Sequence, residues 1–275
     1  MSAEDGSSAP QRPVLSQIDH KRIRALNQIL LHAAIERRAE INEEILRVAG
    51  PIVATGPFKG ARLQIDTSWG EGDFTPKILG CYEQELHAAI EKAIARRPAR
   101  VINVGCAEGY YAVGLARRLP QARVIAFDID AKARAICLKA AAENGVADRL
   151  SAEGACTPER LRALVAERGR TLVVMDCEGA ELNLLDDATV AALANADLIV
   201  ECHDFIDRAI TATLTRRLGR SHILETVAEG ARDPNRFTQL RTLGSLDRWL
   251  AVCEFRPEHM HWLACWSRTG EAASP

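Results

Sequence analysis

Eleven residues constrain this chain more than any others: Val101-Ile-Asn-Val-Gly105-Cys106-Ala107-Glu108-Gly109-Tyr110-Tyr111. The apolar run Val101 to Val104 reads as a buried strand, and Gly105 stops it. Gly109 and the periodic Val113, Leu115, Ala116 and Leu119 then predict the start and core face of a helix. Strand, glycine-rich turn and helix make the first half of a nucleotide-binding βαβ unit. Glycines serve there because the backbone turns sharply and a ligand approaches where a Cβ would clash.

Two features sharpen this reading. A second apolar run, Arg123-Val-Ile-Ala-Phe-Asp128, ends in an acid 23 positions after Gly105. There a carboxylate can accept hydrogen bonds from the ribose hydroxyls of an adenosine ligand. The glycine spacing bears on which ligand. A dinucleotide loop needs Gly-x-Gly-x-x-Gly, and its third glycine is here Tyr110. What stands instead, Gly105-x-Ala107-x-Gly109, is similar to the Gly-x-Gly-x-Gly loop of class I S-adenosylmethionine (SAM) methyltransferases. SAM carries no pyrophosphate to be cradled. The residues expected around it are Gly105, Cys106, Ala107, Gly109 and Tyr110, with Asp128 at the ribose and Ile129 beside it.

The rest of the chain fits an α/β fold. Apolar runs at Leu150–Cys156, Thr171–Asp176, Ala196–Glu201, His222–Val227 and Met260–Trp266 bring the expected strands to seven. Helical patterns at Ala131–Asn144 and Pro158–Arg168 fall between strands. The prediction is a Rossmann-like, mostly parallel sheet with helices on both faces, plus an N-terminal helical extension. Ala155, at the end of the third strand, would lie near the adenine.

Residues 1–13 read as a disordered tail and 14–50 as a helical segment, one helix or two, ended by Gly50-Pro51. That segment is expected to pack on the main domain or against a second copy in a homodimer. Residues 51–80 are Gly- and Pro-punctuated and expected to cover substrate or cofactor; 81–270 form the main domain. In the approach to the first strand, Tyr82, Glu83 and Glu85 are either site residues or acids favourably placed at a helix start.

With 35 basic and 37 acidic residues the net charge is −2, so no nucleic-acid partner is expected. No apolar run approaches the ~20 residues of a membrane span. Eight scattered cysteines without a Cys-x-x-Cys pair argue against a disulfide framework or zinc site. A reducing, cytoplasmic location is expected.

In an open parallel sheet ligands bind beyond the carboxyl ends of the strands. The fourth strand ends in Asp176-Cys177-Glu178-Gly179-Ala180-Glu181, and the fifth in Glu201-Cys202-His203-Asp204-Phe205. So many ionisable groups after apolar strands are costly unless paired, solvated or used. Each acid is a candidate site group or a helix-start acid, the latter more so for Glu181 and Asp204.

Asp176-Cys-Glu178-Gly179-Ala180-Glu181 with Leu184-Leu185, then Glu201-x-His203, resembles the Asp-x-Glu-Gly-Ala-Glu and Glu-x-His signatures of FkbM-like SAM-dependent methyltransferases. Gly105-Cys-Ala107-Glu-Gly109-Tyr110-Tyr111 resembles that family's glycine loop. The resemblance spans roughly residues 80–205. Asp128 before Ile129 departs from the family's Glu before proline, and Asn103 stands where many relatives carry an acid. The resemblance implies O-methylation of a hydroxyl on a small molecule or glycan.

The expected chemistry is in-line methyl transfer, which requires alignment and removal of a proton from the acceptor hydroxyl. His203 is the candidate base, with Asp176 or Glu178 orienting it or holding substrate, and Asp176 also near the methyl donor. Alternatively Asp176, Glu201 and His203 hold Mg²⁺. Competing readings are an NAD-dependent oxidoreductase, a protein or RNA methyltransferase, and a non-catalytic SAM-binding subunit.

Overall fold

The computed structural model describes residues 20–66 and 74–270. The tail at 1–13, the start of the N-terminal segment, residues 67–73 and the last five residues lie outside the described part. All seven expected strands are present: β1 Arg100–Val104, β2 Arg123–Phe127, β3 Leu150–Glu153, β4 Thr171–Met175, β5 Asp197–Cys202, β6 His222–Ala228 and β7 His261–Ser267. They form one sheet in the order β3-β2-β1-β4-β5-β7-β6. The first five pair in parallel, and β7 runs antiparallel to both its neighbours. This is the expected Rossmann-like sheet.

Strands buried on both faces are unbroken apolar runs because helices cover each side. Successive side chains alternate between those sides. Val101, Val124, Ala126, Leu172 and Val174 face a layer made by α3 (His87–Ala95), α4 (Tyr110–Arg118) and α5 (Ala131–Glu143). Ile102, Ile125, Val173 and Met175 face α6 (Pro158–Val165), α7 (Glu181–Leu184), α8 (Asp187–Ala192) and α9 (Ile210–Leu218).

A third, smaller core lies outside the sheet. The N-terminal segment forms a single helix, α1 (His20–Ala49). Its Ile41 and Ile45 pack with Ile78 and Leu79 of α2 (Phe74–Leu79) and with Ala251 and Val252 of α10 (Ser245–Val252). Arg37 donates to both carboxylate oxygens of Asp247 at 3.1 and 2.8 Å, and Arg38 donates to the Cys253 carbonyl. Asn42 accepts from the Thr75 amide and hydroxyl. Only the second half of α1 is anchored: residues 21–33 are all exposed. In the covering segment, extended pairing amounts to one bridge, Ile52 to Arg62, and the segment ends in the short helix α2. Among the described residues no helix is long and apolar enough to cross a membrane.

The register positions the site. Val104 is level with Phe127 on one side and Met175 on the other, and Met175 with Val200. Gly105, Asp128 and Asp176 therefore leave the sheet side by side at its carboxyl edge, level with Glu201 near the end of β5. Strand order reverses between β1 and β4, where a crevice must open.

Candidate active site

The glycine loop is bent as its spacing requires. Gly105, Ala107 and Gly109 all have positive φ, at 76°, 43° and 92°. A Cβ on Gly105 would lie 1.6 Å from the Asp176 carbonyl oxygen, so no other residue fits there. The turn is held by Asp128, which accepts from the Ala107 amide at 2.9 Å and, through its other oxygen, from the Asp130 amide at 2.9 Å. Each carboxylate oxygen has further lone-pair capacity.

A cavity of about 590 Å³ opens over this loop, within the range of small-molecule sites. Its walls include Gly105, Ala107, Gly109, Tyr110, Asp128, Ile129, Ala155, Asp176 and Glu178, together with Tyr82. Ile129 is 83% exposed and forms an apolar shelf at the edge. Two of the expected cofactor residues are placed elsewhere. Cys106 is buried behind the loop against Cys137, whose contact, with burial, raises its thiol pKa. Glu85 is turned away from the cavity: it accepts from Arg232 at 2.8 Å and from the Gly230 amide at 2.9 Å. Lys77, Glu108, Asn183 and the Cys156–Pro158 turn also line the cavity and were not anticipated. None of them carries a spacing signal.

The ends of β4 and β5 meet in an ionisable corner. His203 is 2% exposed, and its Nδ1 lies 2.5 Å from an oxygen of Glu181, a fully buried carboxylate. Its Nε2 lies 3.4 Å from Asp176 and 3.5 Å from Glu178. Burial alone would lower the imidazole pKa, but the Glu181 hydrogen bond and the charges of Glu201, Glu181 and Glu178 outweigh it and raise it. The side chain orienting His203 is thus Glu181, the acid expected to serve mainly a helix start. Asp176 and Glu178 instead face the free ring nitrogen. Glu178 and Gly179 hold this turn in left-handed conformations, at φ 51° and 96°. Backbone strain of this kind gathers at functional sites.

Behind Asp176 lies a second group of buried charges. Arg256 donates to Glu201, to Glu83 at 3.1 Å and to Glu254 at 2.9 Å. Arg232 pairs with Glu254 and Glu85, both at 2.8 Å. Tyr111 donates to Glu83. Burial, with the nearby Glu83, pushes the Glu201 carboxyl up to about 7, against the pull of Arg256. Burial likewise raises Asp176 well above the usual carboxylate range, aided by Glu201, Glu83 and Glu178. Two triplets have ligand atoms within 4.8 Å of one another: Asp176, Glu178 and His203; and Glu83, Asp176 and Glu201. The anticipated metal set of Asp176, Glu201 and His203 is split between them. Asp204 is apart, accepting from Thr211 near His261.

No family model matches the chain, and no curated protein matches its sequence. Among solved structures, the O-methyltransferase TomG from Streptomyces achromogenes, involved in tomaymycin synthesis and crystallised with SAM, is similar at 13% identity over 67% of this chain and 80% of that one, with a TM-score of 0.45. A putative O-methyltransferase from Klebsiella pneumoniae is similar at 13% identity over 88% and 96%, with a TM-score of 0.46. An O-methyltransferase from Bacillus cereus in complex with SAH is similar at 14% identity over 67% and 81%, with a TM-score of 0.43.

Proposed function

We propose that this chain is a SAM-dependent methyltransferase of FkbM-like type that methylates a hydroxyl on a small molecule or glycan. One observation carries the reading: the register brings the Gly105–Gly109 turn, Asp128 and Asp176 to one cavity, beside a Glu181–His203 pair. The cofactor fits this chemistry. Asp128 keeps acceptor capacity for ribose hydroxyls after holding the loop, and Ile129 and Ala155 supply apolar walls for adenine. The loop amides and Asp176 would hold the methionine end. When bound, SAM supplies an electrophilic methyl group.

The chain's own residues do the remainder. An acceptor hydroxyl placed between Asp176 and Glu178 faces His203 Nε2, which takes its proton as the oxygen attacks. Glu181 fixes the tautomer that leaves Nε2 free and stabilises the imidazolium that forms. Asp176 and Glu178 orient the acceptor. Methyl transfer is in line, so this positioning contributes much of the rate.

Tyr110, standing where a dinucleotide loop needs its third glycine, disfavours the oxidoreductase reading. A metal-assisted variant is favoured by one feature: Asp176, Glu178 and His203 converge, and His203 donates its other nitrogen to a carboxylate, as metal-bound imidazoles do. Turnover lost on chelation and restored by Mg²⁺ would establish that variant.

The test is calorimetric titration of S-adenosylhomocysteine and NAD into the purified protein and an Asp128→Ala variant. Micromolar binding of S-adenosylhomocysteine, lost in the variant and absent for NAD, is expected. Binding of NAD alone, or of neither, would overturn the reading.

A further inference from the structure

The exposed half of α1 does not behave as a solvent face. Ile23, Leu26, Ile29 and Leu30 are 40, 52, 65 and 68% exposed and share one face of the helix, while the exposed Leu31 and Ile35 lie on its opposite side. Leaving side chains of this size in water forgoes the burial that drives folding and association. Along the helix Ile23, Leu26, Leu30 and Ala33 recur at spacings of three and four, the a and d positions of a heptad. The next a position is Arg37, where α1 joins the body through Asp247. The stripe therefore ends where the anchored half begins.

The charges beside the stripe identify the cover. The positions preceding each a residue are Arg22, Ile29 and Glu36. In an antiparallel pair of identical helices these flanking positions meet each other across the seam. A register that stacks Ile23 on Ala33 and Leu26 on Leu30 of the second copy sets Arg22 against its Glu36, twice by symmetry, and Ile29 against Ile29 at the centre. A parallel pair would instead align the basic turn Lys21, Arg22 and Arg24 with its own copy, like charge on like.

We propose that the exposed half of α1 is a homodimerisation element, docking antiparallel on α1 of a second copy with Ile29 at the two-fold axis. None of its residues lines the candidate active-site cavity, and it does not depend on the proposed methyltransferase activity.

The test uses the full chain, with mass measured by light scattering during size-exclusion chromatography. A dimer at micromolar concentration is expected. Leu26→Glu with Leu30→Glu places charge in the seam and should weaken dimerisation at least about 100-fold, while the thermal unfolding transition persists. Arg22→Glu alone turns two attractions into repulsions and should weaken it about tenfold; R22E with E36R should restore it. An Ile29→Cys variant should cross-link to itself on mild oxidation, and an Ile23→Cys variant should not. A monomeric parent, a dimer indifferent to the Leu26/Leu30 variant, or cross-linking at Ile23 in place of Ile29 would overturn the proposal. Residues 1–19 or an unlike partner would then be the cover.

Discussion

Two groups of buried charge lie side by side beyond the sheet, and they are built to opposite ends. Around Arg256 and Arg232 the carboxylates of Glu83, Glu85, Glu201 and Glu254 each meet a guanidinium. The backbone bends to make this possible, with Glu83 and Phe255 at φ 45° and 48°. Around His203 one ring nitrogen is anchored and the other faces two carboxylates at 3.4 and 3.5 Å, beyond hydrogen-bond length. One oxygen of Asp176 is buried with no hydrogen-bond partner. An unmade bond to a buried polar atom costs about 1–3 kcal/mol. The charges of the first group are saturated; those of the second are the ones the proposed reaction would use.

Substitutions can break that contrast. The largest effect is expected at His203→Gln, which leaves a donor for Glu181 and removes the base. Turnover should fall about 10²–10⁴-fold, while S-adenosylhomocysteine still binds by calorimetry; retained turnover would refute the base. Arg256→Met should do the reverse and act on stability. It strands Glu201 and removes one partner each from Glu83 and Glu254, and a loss of about 3–5 kcal/mol is expected, read from urea unfolding. An unchanged midpoint would mean that the network contributes nothing to the fold.

Two smaller effects sharpen the comparison through pH. The His203 pKa is raised, so the acid limb of kcat/KM should lie above the ordinary imidazole range. Glu181→Gln removes one of the raising charges and should move that limb to lower pH. On the saturated side, burial pushes Glu254 up to about 8, opposed by Arg256 and Arg232. The folded state then binds more protons than the unfolded one between the ordinary carboxylate range and about pH 8. Stability should decline as pH rises through that window. Glu254→Gln should flatten the decline in thermal melts recorded across it.

The sheet was legible in the sequence because a strand covered on both faces must be a continuous apolar run, as Val101–Val104 and Thr171–Met175 are. The glycine turn and Asp128 were legible for the same kind of local reason. Short α2 and α10 were not, since six- and eight-residue helices amid Gly and Pro leave too little period to detect. The role of Glu181 was hidden as well. Its position announces a helix start, and only the packing of α7 against α9, beyond the end of β5, turns it inward onto His203. Arg232 and Arg256 come from loops 147 and 173 positions after their partners Glu85 and Glu83, a juxtaposition that no local pattern encodes.

The aromatic residues beside the cavity have an optical consequence. All three tyrosines of the chain, Tyr82, Tyr110 and Tyr111, sit in one mostly edge-to-face cluster with Phe58, the contacting ring centroids 5.2–6.4 Å apart. Tyr82 and Tyr110 line the cavity, and burial holds the phenols of Tyr110 and Tyr111 un-ionised well above their usual range. The near-ultraviolet tyrosine signal of this protein therefore comes from a single place. Its circular dichroism should respond when a molecule enters the crevice, and alkaline phenolate absorbance should develop fully only as the cluster comes apart. The chromophores needed to watch this site fill are already built into its wall.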